Sequence, residues 1–313
     1  MSILIGLAAT LVTILFNIYA GSALQNAFGP IGSAFAEIGF ALIALATAVI
    51  YVVQKRRSLD RRHIEYGEND YTIESVFSFK PPKFGHIIGG LSLMFAGNQI
   101  SVMYYNIVMR LFPETYAALN DSILESAYSG TFAATFCTIA IIPPICEELL
   151  LRGAIQKTFT DLKKPICTIL LSGFMFGLFH IDPMRIPFAT MMGIILSYAY
   201  YRSGSIFVPI LMHFANNAYS VITSWQYKDL STEAIMAENA AALSDPMTAA
   251  ITGLVSSLAM MLIAACAIFV GTSFLEPQFA VSLKKYRRVY LAAAICIAVL
   301  GIGMFVSILV FGF

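Results

Sequence analysis

Three short groups of polar residues stand inside apolar stretches of this 313-residue chain. The densest is Pro143-Pro144-Ile145-Cys146-Glu147-Glu148-Leu149-Leu150-Leu151-Arg152-Gly153, with three charges in a helix otherwise built of Ile, Leu and Ala. Glu148 and Arg152 are four apart and share a helix face, the spacing of an intrahelical ion pair. Glu147 points about 100° away from Glu148 and can face a reacting centre. The second group is Phe176-Gly177-Leu178-Phe179-His180, and the third is His213-Phe214-Ala215-Asn216-Asn217. His213 and Asn217 are again four apart, an arrangement that aims two side-chain donors at one oxygen. Asn216, three residues from His213, satisfies the same face by spacing. A carboxylate, two histidines and an amide inside apolar runs are candidates for a functional site. Amide hydrolysis, which needs a base whose pKa lies near neutrality, is one chemistry that burial of a carboxylate would suit. Cys146 as a thiol nucleophile is disfavoured, because adjacent residues diverge by about 100° around a helix. Gly90-Leu91-Ser92 has the form of a serine-nucleophile motif but lacks a histidine at supporting spacing.

The elements that must position these groups are set by composition. Hydrophobic residues make up 58% of the chain and charged residues 12%, where an ordinary soluble domain is about 25% charged. The 19 Lys and Arg nearly cancel the 18 Asp and Glu, so no basic excess exists to hold nucleic acid. The solvent for most of the chain is lipid. A span needs about 20 mostly apolar residues, and windows of that kind occur at 2–20, 34–53, 86–109, 129–151, 165–181, 186–201, 205–224, 247–271 and 290–311. The expected fold is all-α, a polytopic integral membrane helical bundle of about nine transmembrane helices. The first charged residue is Glu37, so the start lacks the positive n-region of a cleavable signal and reads as a retained first span. The five cysteines lie in apolar runs without metal-site pairing.

Lys and Arg in short loops set orientation. Lys55, Arg56, Arg57, Arg61 and Arg62 follow the second span, Lys157, Lys163 and Lys164 the fourth, and Lys284, Lys285, Arg287 and Arg288 the eighth. Acidic segments, Glu114, Asp121 and Glu125 and then Asp229, Glu233, Glu238 and Asp245, fall between them. The chain is therefore expected in the cell membrane, multi-pass, with its N-terminus cytoplasmic. The polar stretch from Lys55 to Lys83 reads as a cytoplasmic loop against the membrane surface. Ionisable groups inside spans are costly and mark functional sites, and helix rise tests whether they can meet. From a turn near Leu162, Glu147 and His180 both lie roughly 22 to 27 Å away. His213 lies only about 15 Å past a turn near Ser203, so the helix ends must be staggered by about 10 Å for the third group to join.

At these residues the sequence resembles the CPBP family of intramembrane proteases, which contains the CAAX prenyl endopeptidase Rce1 type and bacterial Abi-like proteins. The resemblance rests on E-E-x-x-x-R as Glu147, Glu148 and Arg152, F-x-x-x-H as Phe176 and His180, and H-x-x-x-N as His213 and Asn217. It covers about a quarter of the chain and places a catalytic core over 129–225; the hydropathy windows add N-terminal helices with a polar cytoplasmic loop over 1–128 and an outer loop with two helices over 226–313. The resemblance further implies endoproteolysis of a membrane-associated or lipidated peptide. Glu147 would be the general base with His180 beside it on the water, His213 and Asn217 the oxyanion donors, and Glu148 and Arg152 the pair that positions the helix. No cofactor is expected. Zinc on Glu147, His180 and His213 is the alternative, disfavoured because H-E-x-x-H is missing and Asn217 suits an oxyanion better than a metal. The expected partners are membrane lipid and a peptide or protein substrate, with no nucleic acid. A non-catalytic adaptor or bacteriocin-immunity protein of the same fold is the second reading. A transporter with a Glu and His proton relay is the third, supported by Asn98, Gln99 and Asn106.

Overall fold

A computed structural model describes residues 1–67, 70–128, 130–226 and 246–275, with isolated positions 228, 295, 299, 302 and 306. Among them are ten helices and no strand. These are α1 (Ser2–Phe28), α2 (Pro30–Asp60), α3 (Ile73–Phe77), α4 (Phe84–Leu111), α5 (Pro113–Tyr128), α6 (Phe132–Leu162), α7 (Pro165–Phe179), α8 (Ile186–Ser203), α9 (Phe207–Gln226) and α10 (Pro246–Leu275). The boundaries follow local chemistry. Gly29 turns at φ 57° between α1 and α2, and Pro30, which lacks the donor that a first helical turn cannot use, starts α2. Pro165 opens α7 in the same way, and Gly204, at φ 62°, ends α8.

Five helices are long and apolar enough to cross a bilayer: Ser2–Phe28, Ile31–Asp60, Phe84–Leu111, Phe132–Leu162 and Ile251–Leu275. Large apolar side chains such as Leu4, Leu42, Phe84 and Leu262 are exposed on the outside, as a lipid solvent requires. The protein is an all-α integral membrane bundle. The windows at 165–181, 186–201 and 205–224 also fall on helices, α7 to α9, which are shorter or carry more polar residues. The window at 290–311, the basic group at 284–288 and the acidic group at 229–245 lie outside the described residues apart from isolated positions. The acidic segment at 114–125 folds as α5.

α6 is the axis of the core. Leu150, Leu151, Ala154, Ile155 and Phe159 are buried almost completely, with α1, α2, α4, α7 and α8 around them. Lipid tails give helices little hydrophobic reason to associate, so close packing of small residues does much of the work. α7 meets α8 where a Cβ on Gly193 would stand 2.7 Å from the Gly173 carbonyl. α4 meets α10 at Gly89 and Gly271 in the same manner. Part of the polar stretch between Lys55 and Lys83 packs against the bundle. Thr72 and Ser75 form a reciprocal N-terminal cap for α3, which buries Val76 and Phe77. The Tyr200 hydroxyl donates to the Val76 carbonyl at 3.3 Å.

Candidate active site

α6 is not uniformly α-helical, and the first of its two departures adjoins its prolines. Pro143 and Pro144 have no N–H, so the carbonyls of Ile139 and Ala140 lack their i+4 donors. The segment Phe136–Ile141 is π-helical, regular α geometry holds over Ile142–Glu148, and a second π-helical stretch covers Leu149–Ile155. The helix continues through the prolines rather than restarting. The Ile139 carbonyl finds its donor on another helix: Asn217 Nδ2 donates to it at 3.0 Å. Asn217 Oδ1 in turn accepts from Asn216 Nδ2 at 3.1 Å. Asn217 thus ties α9 to the proline-disrupted turn of α6 with one amide hydrogen and keeps the second.

One turn further along α6, Arg152 Nη1 donates to Glu148 Oε1 at 2.9 Å, and Nη2 donates to the Gly193 carbonyl of α8 at 3.1 Å. Both side chains of the pair are 0% exposed. The same Glu148 oxygen lies 2.9 Å from His213 Nδ1 on α9, so one carboxylate serves the arginine and a histidine. A proton on Nδ1 shared with Glu148 fixes the ring and leaves Nε2 uncommitted. The contact also answers the depth question, since α9 is staggered far enough for His213 to reach α6.

His180 caps the C-terminal end of α7, and its Nδ1 lies 2.9 Å from the Phe176 carbonyl. A carbonyl can only accept, so Nδ1 carries the proton and Nε2 presents a lone pair. The Phe176 ring is the common neighbour of the cationic and imidazole groups. Its centroid is 4.5 Å from the Arg152 guanidinium, 4.8 Å from the His180 ring and 5.7 Å, edge-on, from the His213 ring. Glu147 is buried, and its Oε2 has no hydrogen-bond partner among the described residues. The charges of His213, Glu148, Arg152 and Arg185 act on it, and those of Arg185, His213 and Arg152 act on His180.

Residues from three helices therefore converge: Glu147, Glu148 and Arg152 from α6, His180 from the end of α7, and His213 and Asn217 from α9. Glu148, Arg152 and His213 are joined by hydrogen bonds. His180 adjoins them through Phe176, and Asn217 through the Ile139 carbonyl. Among the described residues no three His, Cys, Asp or Glu side chains are grouped as a metal site would need. Sequence reasoning did not find the bond from Glu148 to His213, 65 residues apart, or the part played by Gly193. The link from Asn217 to Ile139 had a usable signal, since Pro143 orphans the carbonyl four residues before it. Two charged groups near the site, Arg185 and Glu37, also went unassigned.

Comparison with known proteins bears on the same stretch. Residues 129–219, which contain every residue of the cluster, match the family described as type II CAAX prenyl endopeptidase Rce1-like. The chain is also similar to the Bacillus subtilis (strain 168) protein named "Putative membrane peptidase YdiL", with 31% identity over 83 residues. That overlap is 26% of this chain and 34% of the relative, so the chain spans about a third of the length of the curated protein it matches. No solved structure matches.

Proposed function

We propose, from the premise that the chain belongs to the CPBP family through its Rce1-like segment, that it is an intramembrane endopeptidase. Its substrate is a membrane-associated or lipidated peptide, and its setting is the cell membrane with the N-terminus cytoplasmic. The observation that carries this reading is the division of labour within the buried cluster. Glu148 Oε1 is committed to both Arg152 and His213, while among the described residues Glu147 Oε2 has no hydrogen-bond partner and His180, held at Nδ1 by the Phe176 carbonyl, keeps the Nε2 lone pair as its acceptor.

In this mechanism a water bound by Glu147 and His180 gives up its proton to Glu147 and attacks the scissile carbonyl carbon. The oxygen of the tetrahedral intermediate takes hydrogen bonds from His213 Nε2 and from the second Asn217 Nδ2 hydrogen. Each such donor is worth on the order of 10² to 10³ in rate. His213 can donate from Nε2 only when both ring nitrogens are protonated, and Glu148 is the counter-ion for that form. Collapse of the intermediate breaks the C–N bond, and the proton held by Glu147 passes to the leaving amine. The mechanism uses no metal; stoichiometric zinc in purified active protein, measured by inductively coupled plasma analysis, would overturn that part.

The test is a comparison of peptide termini in membranes from cells producing the wild type, Glu147→Gln or His180→Ala at equal levels, read by mass spectrometry. New termini should appear with the wild type and be missing with both variants. The same termini in either folded variant would sink the assigned roles, and no new termini with any of the three would favour a non-catalytic adaptor.

A further inference from the structure

Glu37 is a carboxylate in the first turns of α2, inside a helix long and apolar enough to span the bilayer. It lines a cavity of about 180 Å³ between α1 and α2 together with the polar side chains of Asn17, Ser22, Gln25 and Ser33. Glu37 Oε2 is buried with no hydrogen-bond partner among the described residues. Five polar side chains gathered where two mostly apolar helices meet demand an explanation, because an unsatisfied carboxylate at membrane depth is costly. Apolar cavities stay dry, whereas a polar one of this size holds several waters, each taking ~30 Å³ in the liquid.

Two residues that line the cavity, Asn17 and Phe40, touch Phe179, the neighbour of His180. Asn17 Nδ2 donates to the Phe179 carbonyl at 3.4 Å. Phe40, one turn after Glu37 and also at the cavity wall, places its ring 4.9 Å from that of Phe179. Phe179 precedes His180 and stands edge-on to it at 5.7 Å. Toward α6, the charge of Glu147 acts on Glu37, and Cys146 senses both. Hydrolysis consumes one water for each peptide bond, and Glu147 is enclosed by helices.

We propose that this cavity is a water-filled antechamber that supplies the hydrolytic water to Glu147, with Glu37 as the positioning residue that keeps it wet. Water enters beside the α1–α2 turn, at the end of the bundle away from the basic residues that follow α2 and α6. The supply role rests on the proposed hydrolysis; the wetness of the cavity does not.

The test uses full-length protein in lipid vesicles with its five native cysteines replaced. A Ser33→Cys variant should react with a membrane-impermeant methanethiosulfonate. Adding Glu37→Leu should slow that reaction by about tenfold, because an apolar lining dries the cavity, and Glu37→Gln should not. On the peptide whose termini distinguish wild type from Glu147→Gln, Glu37→Leu should lower kcat by about tenfold with KM unchanged, and Glu37→Gln should recover most of the rate. If Glu37→Leu does not fold, Gln25→Leu carries the same expectations. An unreactive Ser33→Cys, or a Leu variant with wild-type reactivity and kcat, overturns the proposal. If wild type and all variants label as expected but none cleaves any peptide, the loss falls on the endopeptidase reading and the antechamber stands.

Discussion

Glu148 is the residue on which the buried polar cluster depends, since one of its oxygens faces both Arg152 and His213 at 2.9 Å. Removing one member of a buried pair leaves an uncompensated charge, which costs about 3–5 kcal/mol. Arg152→Ala is expected to destabilise the protein by that amount in thermal unfolding in detergent, leaving His213 as the remaining partner of Glu148. Arg152→Lys keeps the charge but cannot reach Glu148, the Gly193 carbonyl and the Phe176 face at once, because an ammonium is not a planar fork. It should fold with a lower Tm and a reduced kcat. Equal Tm and kcat for Lys and Arg at 152 would show that the fork geometry is dispensable. The pairing of Glu148 with Arg152 was legible from the i, i+4 spacing. The sharing with His213 was not, because no local rule relates positions 65 residues apart.

At the scale of elements, α6 and α9 are coupled by a proline. Pro143 removes the donor that would satisfy the Ile139 carbonyl, and Asn217 replaces it across the helix interface. Asn217→Ala should therefore destabilise the fold by about 1–3 kcal/mol, the cost of an unsatisfied buried group. In a Pro143→Ala background, where a backbone N–H returns to position 143, the same substitution should cost about 1 kcal/mol less. A double-mutant cycle with no coupling would refute this account of the π-helical turn. α7 and α8 are held by the opposite device, the lack of side chains. An added Cβ at Gly193 would press on both the Gly173 carbonyl and Phe176 Cβ, so Gly193→Ala should cost about 1–3 kcal/mol through overpacking. It should also lower kcat, since Phe176 and Arg152 both rest on that contact.

Across the whole molecule, one end of the bundle is defined by contacts between distant segments. Lys55 Nζ at the end of α2 pairs with Asp161 Oδ1 at the end of α6 at 2.7 Å, and the Ser2 hydroxyl donates to the other oxygen of Asp161. The start of the chain and the basic residues after α2 and α6 therefore share one face, which we propose is the cytoplasmic one from the excess of Lys and Arg in short loops. Cysteines at Arg62 and Lys164 should react with an impermeant thiol reagent only in inside-out vesicles; labelling of intact cells would invert the topology. Sequence alone determined the solvent and the periodicity. Charge scarcity and apolar runs specify an all-α membrane bundle, because the bilayer demands internally satisfied backbones. It also picked out the cluster residues, since ionisable groups in lipid are too costly to be incidental. Only the tertiary structure decided which of them touch. The staggering of α9 that brings His213 to Glu148, the carbonyl that claims one hydrogen of Asn217, and the polar cavity behind Glu37 all depend on helix packing. Packing is set by close approach between residues remote in the chain, and spacing along the sequence carries no measure of it.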